Sequence, residues 1–77
     1  MLIGKIDKNA REKIYISIGE FKGHKFIDCR VYFTENISGE MKPSKKGITL
    51  NADVIDEVLE LLNDAREKLF EGLSGKK

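Results

Sequence analysis

The 77-residue chain holds one cysteine, one histidine, one proline and no tryptophan. A single Cys29 cannot form an internal bridge, and without a Cys/His cluster a structural zinc site is excluded. With one histidine and one cysteine, the usual general bases and nucleophiles are nearly absent. No glycine-rich nucleotide fingerprint, P-loop, HExxH, CxxC or Ser/His/Asp set occurs. The composition therefore points away from an enzyme, and to no cofactor and no metal. There is no apolar run of membrane-spanning length, and the N-terminus has no charged-then-apolar leader pattern. A soluble, unexported protein in a reducing compartment is expected.

What is present is charge, unevenly spread. Residues 1–50 carry ten Lys and Arg against six Asp and Glu, whereas residues 51–77 carry four against seven. One face of a small domain then meets an anionic partner. A chain this short builds a small core and gains from a second copy.

Hydrophobic periodicity divides the chain into a sheet (residues 2–50), a helix (about 52–71) and a polar tail (72–77), read together as a single domain spanning 1–77. From Lys13 to Phe21, Ile14, Ile16 and Ile18 alternate with Lys13, Tyr15, Ser17, Gly19 and Phe21. From Lys25 to Thr34, Ile27, Cys29, Val31 and Phe33 alternate with Phe26, Asp28, Arg30 and Tyr32. Lys22-Gly23 between them predicts a tight hairpin. A third strand, Met41–Leu50, is interrupted at Pro43, and Met1–Lys8 carries a weaker alternation through Leu2 and Ile6. The expected fold is α+β, an antiparallel meander of three to four strands followed by one long helix. Asn51 is its candidate N-cap, and Gly72 its candidate stop. Val54, Val58, Leu61, Leu62, Ala65 and Leu69 form an apolar stripe suited to a dimer contact.

Cys29 sits in the apolar alternation and reads as a small hydrophobe. Tyr15, Phe21, Phe26 and Tyr32 share the outward parity with Lys13 and Arg30. Rings interleaved with cations can stack on unpaired bases while neutralising phosphates. The same rings can instead pack as cross-strand pairs. Lys42, Lys45 and Lys46 extend that surface, or guard a sheet edge together with Pro43.

The segments FKGHKFIDCRVYF and GEMKPSKKGITLN, with the apolar helix after them, resemble the DNA-binding domain of the positive cofactor four type of transcriptional coactivator. The resemblance covers residues 12–65 and implies a curved four-stranded sheet, dimerisation through the helices and binding of single-stranded or melted DNA. It places Phe21 and Phe33 on bases, with Lys22, His24, Arg30, Lys45 and Lys46 along the strand path and Lys42 and Pro43 shaping the edge. Lys13, Tyr15, Lys25 and Tyr32 form the margin of that surface. Phe33 stands where the family has tryptophan, Ile14 and Gly19 where eukaryotic members have basic residues, and the loop Glu35–Gly39 is slightly longer than theirs.

Strict alternation, however, puts Phe33 opposite in parity to Arg30. An irregularity near Val31–Phe33 is expected to reconcile them; a regular strand would make Tyr32 the stacking ring. The implied roles are transcription regulation, with replication or repair beside it. The implied partners are single-stranded DNA, a second copy and transcription machinery. Alternatives are an RNA-binding module on the same surface, or a protein-interaction adaptor using the acidic helix. The chain is expected in the nucleus if eukaryotic and in the cytoplasm or nucleoid if prokaryotic or phage, its small size leaning to the latter.

Overall fold

A computed structural model describes residues 1–74, with side chains described to residue 71. Four strands, β1 (Leu2–Asp7), β2 (Glu12–Phe21), β3 (His24–Thr34) and β4 (Met41–Asn51), precede one helix, α1 (Ile55–Ser74). The strands pair antiparallel in sequence order, β1-β2-β3-β4. This is the expected meander with all four strands formed.

The turn chemistry of β2–β3 follows the sequence directly. Phe21 pairs with His24, leaving Lys22 (φ 52°) and Gly23 (φ 80°) as a two-residue loop. Positive φ at both positions is what a type I′ hairpin requires. Gly23→Ala forces a side chain into that region, and a denaturant titration should show a loss of about 1 kcal/mol.

Two bulges depart from plain alternation. In β1, Leu2 pairs with Ser17 and Gly4 with Ile16, so Ile3 is an extra residue. That extra residue breaks the period-two pattern, which is why the strand is faint in the sequence. The strand is nonetheless anchored: the Met1 ammonium donates to the Ile18 carbonyl, and the Ile18 N–H donates to the Met1 carbonyl, both at 2.8 Å. In β4, the partner of Arg30 is Gly47 and that of Tyr32 is Pro43. Ser44, Lys45 and Lys46 therefore stand opposite Val31 alone, two residues more than the ladder needs. Pro43 is accommodated because β4 is an edge strand.

The irregularity thus falls beside Val31, but its extra residues belong to β4. Against β2, β3 pairs without a shift from Glu12↔Phe33 to Phe21↔His24. The expected break in β3 itself is corrected: Arg30 and Tyr32 keep one parity, Val31 and Phe33 the other, so by parity Tyr32 and not Phe33 stands beside Arg30.

The helix boundaries also differ from expectation. The Asn51 side chain accepts the Asp53 N–H at 2.9 Å, closing a local turn, and the first helical bond is Val58 N–H to the Val54 carbonyl at 2.9 Å. Asn51 ends β4 instead of capping the helix, and α1 begins at Ile55. Asp56 and Glu57 then occupy its first turn, where carboxylates favour the positive end of the dipole. At the other end the helix passes through Gly72 to Ser74, so the expected stop is not used. The remaining tail, residues 75–77, lies outside the described residues.

One face of the sheet gathers Ile6, Ile14, Ile16, Ile18, Ile27, Cys29, Val31, Ile48 and Leu50 by register. Among the described residues none packs over this face beyond the start of α1, and none is buried. Only the start of α1 reaches the sheet, where Ile55 shares a small apolar pocket with Ile18, Ile27 and Leu50. The radius of gyration is 15.5 Å, whereas a compact domain of this length has about 11–12 Å.

Candidate nucleic-acid interface

Register decides which aromatic rings have a free face. Tyr15 and Tyr32 are diagonal neighbours on β2 and β3, and their rings stack at 3.8 Å between centroids with 7° between planes. Lys5 reaches to 5.6 Å from the Tyr15 ring. Here the cross-strand pairing is realised, and each tyrosine gives one face to the other. Phe26 is engaged too: a Cβ at Gly19 would stand 2.6 Å from its ring, so the phenyl lies across the glycine. Gly19 makes room for that ring.

Phe21 and Phe33 are different. Phe21, at the end of β2, is 66% exposed, with the Lys22 ammonium 5.3 Å from its ring centroid. His24 and Lys25 are exposed beside it. Phe33 is 39% exposed near the end of β3 and pairs across the ladder with Lys42 on one side and Glu12 on the other. Nine residue steps of β3 separate His24 from Phe33, about 30 Å of strand. Alternation assigns Phe21 and Phe33 opposite parities, and the right-handed twist turns the sheet normal along that length.

Between the two phenyls lies a latch that organises the β4 bulge. Arg30 donates twice to Asp28, Nε to Oδ2 at 3.1 Å and Nη2 to Oδ1 at 2.9 Å, and its Nη1 donates to the Ser44 carbonyl at 3.1 Å. These hydrogen bonds to Asp28 raise the guanidinium pKa. Ser44 Oγ donates to the Val31 carbonyl at 2.7 Å and accepts the Lys46 N–H at 3.1 Å. Gly47 lets the guanidinium lie this close: a Cβ there would stand 2.8 Å from the Cys29 carbonyl oxygen and 3.0 Å from Arg30 Cζ. Arg30, placed on the strand path by resemblance, is committed to fixing the segment from which exposed Lys45 and Lys46 project.

The remaining cations sort by partner. Lys13 pairs with Asp7 at 2.5 Å, which holds the Asp7 carboxyl below its ordinary range. Lys42 lies 3.6 Å from Glu40. Asn9 and Lys8 hydrogen-bond the Glu12 carboxylate, and these, with the charge of Lys46, keep its pKa low. The structure thus groups Phe21 with Lys22, His24 and Lys25, and Phe33 with Lys42. Lys13, Tyr15, Arg30 and Tyr32 lie between them and are partnered within the chain. Lys45 projects from the bulge.

Lys5 and Arg11 escape the sequence reading. Lys5 sits in the bulged strand, and Arg11 in the β1–β2 connection, where no periodicity marks it. Arg11 Nη2 donates to the Thr34 carbonyl at 3.2 Å and to Asn36 Oδ1. Among the described residues no group of His, Cys, Asp and Glu is arranged to hold a metal ion, and no helix is long and apolar enough to cross a membrane. On α1, Leu61, Leu62, Ala65 and Leu69 are exposed and Val58 is half-buried; Val54, just before the helix, is exposed too.

Residues 8–61 match the family described as Transcriptional Coactivator p15 (PC4). Over 54 residues, 70% of this chain, the sequence is 41% identical to the RNA polymerase II transcriptional coactivator SUB1 of Saccharomyces cerevisiae. The match covers 17% of that yeast protein, and a similar match covers 30% of a putative RNA polymerase II transcriptional coactivator of Caenorhabditis elegans. Among solved structures, a PC4 homologue from Burkholderia pseudomallei superposes with a TM-score of 0.78 at 24% identity, covering 86% of this chain and 96% of that one. MoSub1 in complex with DNA gives a TM-score of 0.58 at 31% identity, over 88% and 82% of the two chains. The match of most of the strand region and the start of the helix to one family, together with the shared fold, makes this chain a member of the PC4 transcriptional coactivator family.

Proposed function

We propose that this chain binds single-stranded or melted DNA as a homodimer, with little dependence on sequence and without catalysis. One observation carries the reading: the two exposed phenyl rings of the sheet, Phe21 and Phe33, each have lysine beside them, Lys22 at 5.3 Å and Lys42 across the ladder. Free rings supply stacking to any base, and the lysines meet phosphates. Support comes from MoSub1, whose structure is solved with single-stranded DNA. Lys45 and Lys46 extend the cationic path, and Arg30 serves it through Ser44.

The dimer follows from what is uncovered. The apolar sheet face and the helix stripe are both open on the same chain, so a monomer has no core. An adaptor would also present an exposed helix, but it would leave the sheet face unexplained. A second copy covers both. In this reading the protein serves transcription, with replication or repair as further settings for the same melted DNA, and its compartment follows that of the DNA.

Titration of equal-length single-stranded DNA and RNA at two salt concentrations tests the ligand. The expected result is DNA binding with log Kd rising against log salt by about 0.7 per phosphate neutralised. Tighter binding of RNA under both conditions would replace this reading with the RNA-binding one. The latch has its own expected outcome. Ser44→Ala removes no charge, but it frees the Lys46 backbone and should weaken single-strand binding by about fivefold to 30-fold, the loss of one or two hydrogen bonds at about 1 kcal/mol each.

A further inference from the structure

We propose that β1 is a pairing edge for the β1 strand of a neighbouring copy, so that proteins lying side by side on one single strand join sheet to sheet. The inference rests on the single-strand reading and adds contact between bound copies to it. The sheet ends in β1 on one side and β4 on the other, and the two edges are unlike. β4 carries Pro43, which has no N–H to offer, and the extra residues 44–46 opposite Val31, both of which oppose strand addition. β1 is interrupted only at Ile3, and from residue 4 to residue 7 it pairs with β2 without a shift.

That segment is complementary to itself. Hydrogen bonds at its two ends, Ile18 N–H to the Met1 carbonyl at 2.8 Å and Lys8 N–H to the Glu12 carbonyl at 3.0 Å, set the alternation between them. With Lys8 and hence Ile6 turned to β2, the backbone N–H and C=O groups of Lys5 and Asp7 point out of the sheet. Two such edges meet antiparallel with Lys5 of each copy opposite Asp7 of the other, and Ile6 opposite Ile6. A shift of two residues brings lysine against lysine or aspartate against aspartate, and a shift of one sets outward backbone groups against inward ones. Charge and hydrogen bonding therefore select one register. Both charges are available: Lys5 is exposed, and the Asp7 side chain remains 80% exposed while bonded to Lys13. Lys5 and Asp7 stand beside Tyr15 and Lys13, and Ile6 beside Ile14, so joined sheets continue both the aromatic and the apolar face. The overlap is only a few residues long, too short to hold free copies together. A shared single strand raises their local concentration and brings the contact out as cooperativity.

Fluorescence anisotropy with one oligothymidylate that accommodates a single dimer and one that accommodates several tests the pairing. Wild-type binding to the longer strand should be cooperative. Lys5→Glu and Asp7→Lys each set like charges against each other across the joined edges and should each lower the cooperativity by about tenfold, as two cross-strand pairs turn from attraction to repulsion. Asp7→Lys should do so while binding the shorter strand at least as tightly as the wild type, because it adds a cation. Combining Lys5→Glu with Asp7→Lys restores opposite charges and should return the cooperativity to within about threefold of the wild type. Both positions are exposed, where an ion pair contributes little to folding, and binding of the shorter strand reports that each variant is folded. Non-cooperative binding by the wild-type protein would overturn the pairing and leave the single-strand reading standing. Unchanged cooperativity in both single variants, or a double variant no more cooperative than the single ones, would overturn it equally. Failure of the wild-type protein to bind either length would instead remove the single-strand reading, and the pairing with it.

Discussion

Leu62→Asp yields a chain that neither dimerises nor unfolds cooperatively. Leu62 lies within an apolar arc that includes Ile55, Val58, Leu59, Leu61, Ala65, Leu69 and Phe70, about half the circumference of α1 at 3.6 residues per turn. Ile55 meets the sheet at the start of this arc; Leu62 itself is 58% exposed. If the arc is buried by a second copy, each fully buried leucine contributes about 1.5–3 kcal/mol. An aspartate there forfeits that gain and also places a charge in an apolar contact, a penalty of several kcal/mol. In a two-fold dimer the change occurs twice. With total stabilities of about 5–15 kcal/mol, the sum removes the folded state. Sedimentation equilibrium and thermal melts at several protein concentrations check this. The wild-type midpoint should rise with concentration, as linkage between folding and association requires. A folded, monomeric Leu62→Asp variant would show that the helix stripe serves another contact.

Removing both free rings should nearly abolish single-strand binding while the dimer persists. Phe21→Ala and Phe33→Ala each cost about 1–3 kcal/mol of stacking, and the sites are far enough apart to add. The double variant is expected to bind at least about 30-fold more weakly, with an unchanged salt slope because no charge is lost. Lys46→Ala should behave in the opposite sense, lowering affinity and reducing the slope by about 0.7. Tyr32→Ala separates the two aromatic assignments: its ring is stacked on Tyr15, so its loss should lower stability more than affinity. Loss of the dimer in Phe21→Ala, read by sedimentation, would mean that the ring belongs to a structural face.

The parts of this architecture that are legible in the sequence are those set by local chemistry. Lys22-Gly23 specifies its hairpin because two adjacent positive-φ positions fix the loop length, and with it the register of ten residue pairs. The isoleucine alternation of β2 likewise identifies the apolar face. What depends on non-local pairing is less visible. Whether Tyr15 and Tyr32 offer their rings outward or to each other depends on register across two strands. The extra residues at Val31 could reside in either β3 or β4, and the basic, proline-containing segment Pro43–Gly47 carries them. Asn51 illustrates competition between two local solutions: an asparagine that can cap a helix can equally close a turn before it. Arg11 lies in a connection, where no period marks a residue, and only the fold shows it reaching Thr34 and Asn36.

The central claim is that free aromatic faces on a lysine-bearing sheet hold unpaired bases. Its most direct measurement is a competition between single-stranded and fully duplex DNA of equal length and sequence for the wild-type protein, at two salt concentrations. The single strand should displace the duplex at both, and its advantage should persist at high salt, because stacking is screened far less than phosphate contacts. Equal affinity for the duplex, or a preference that vanishes as salt is raised, would contradict the claim.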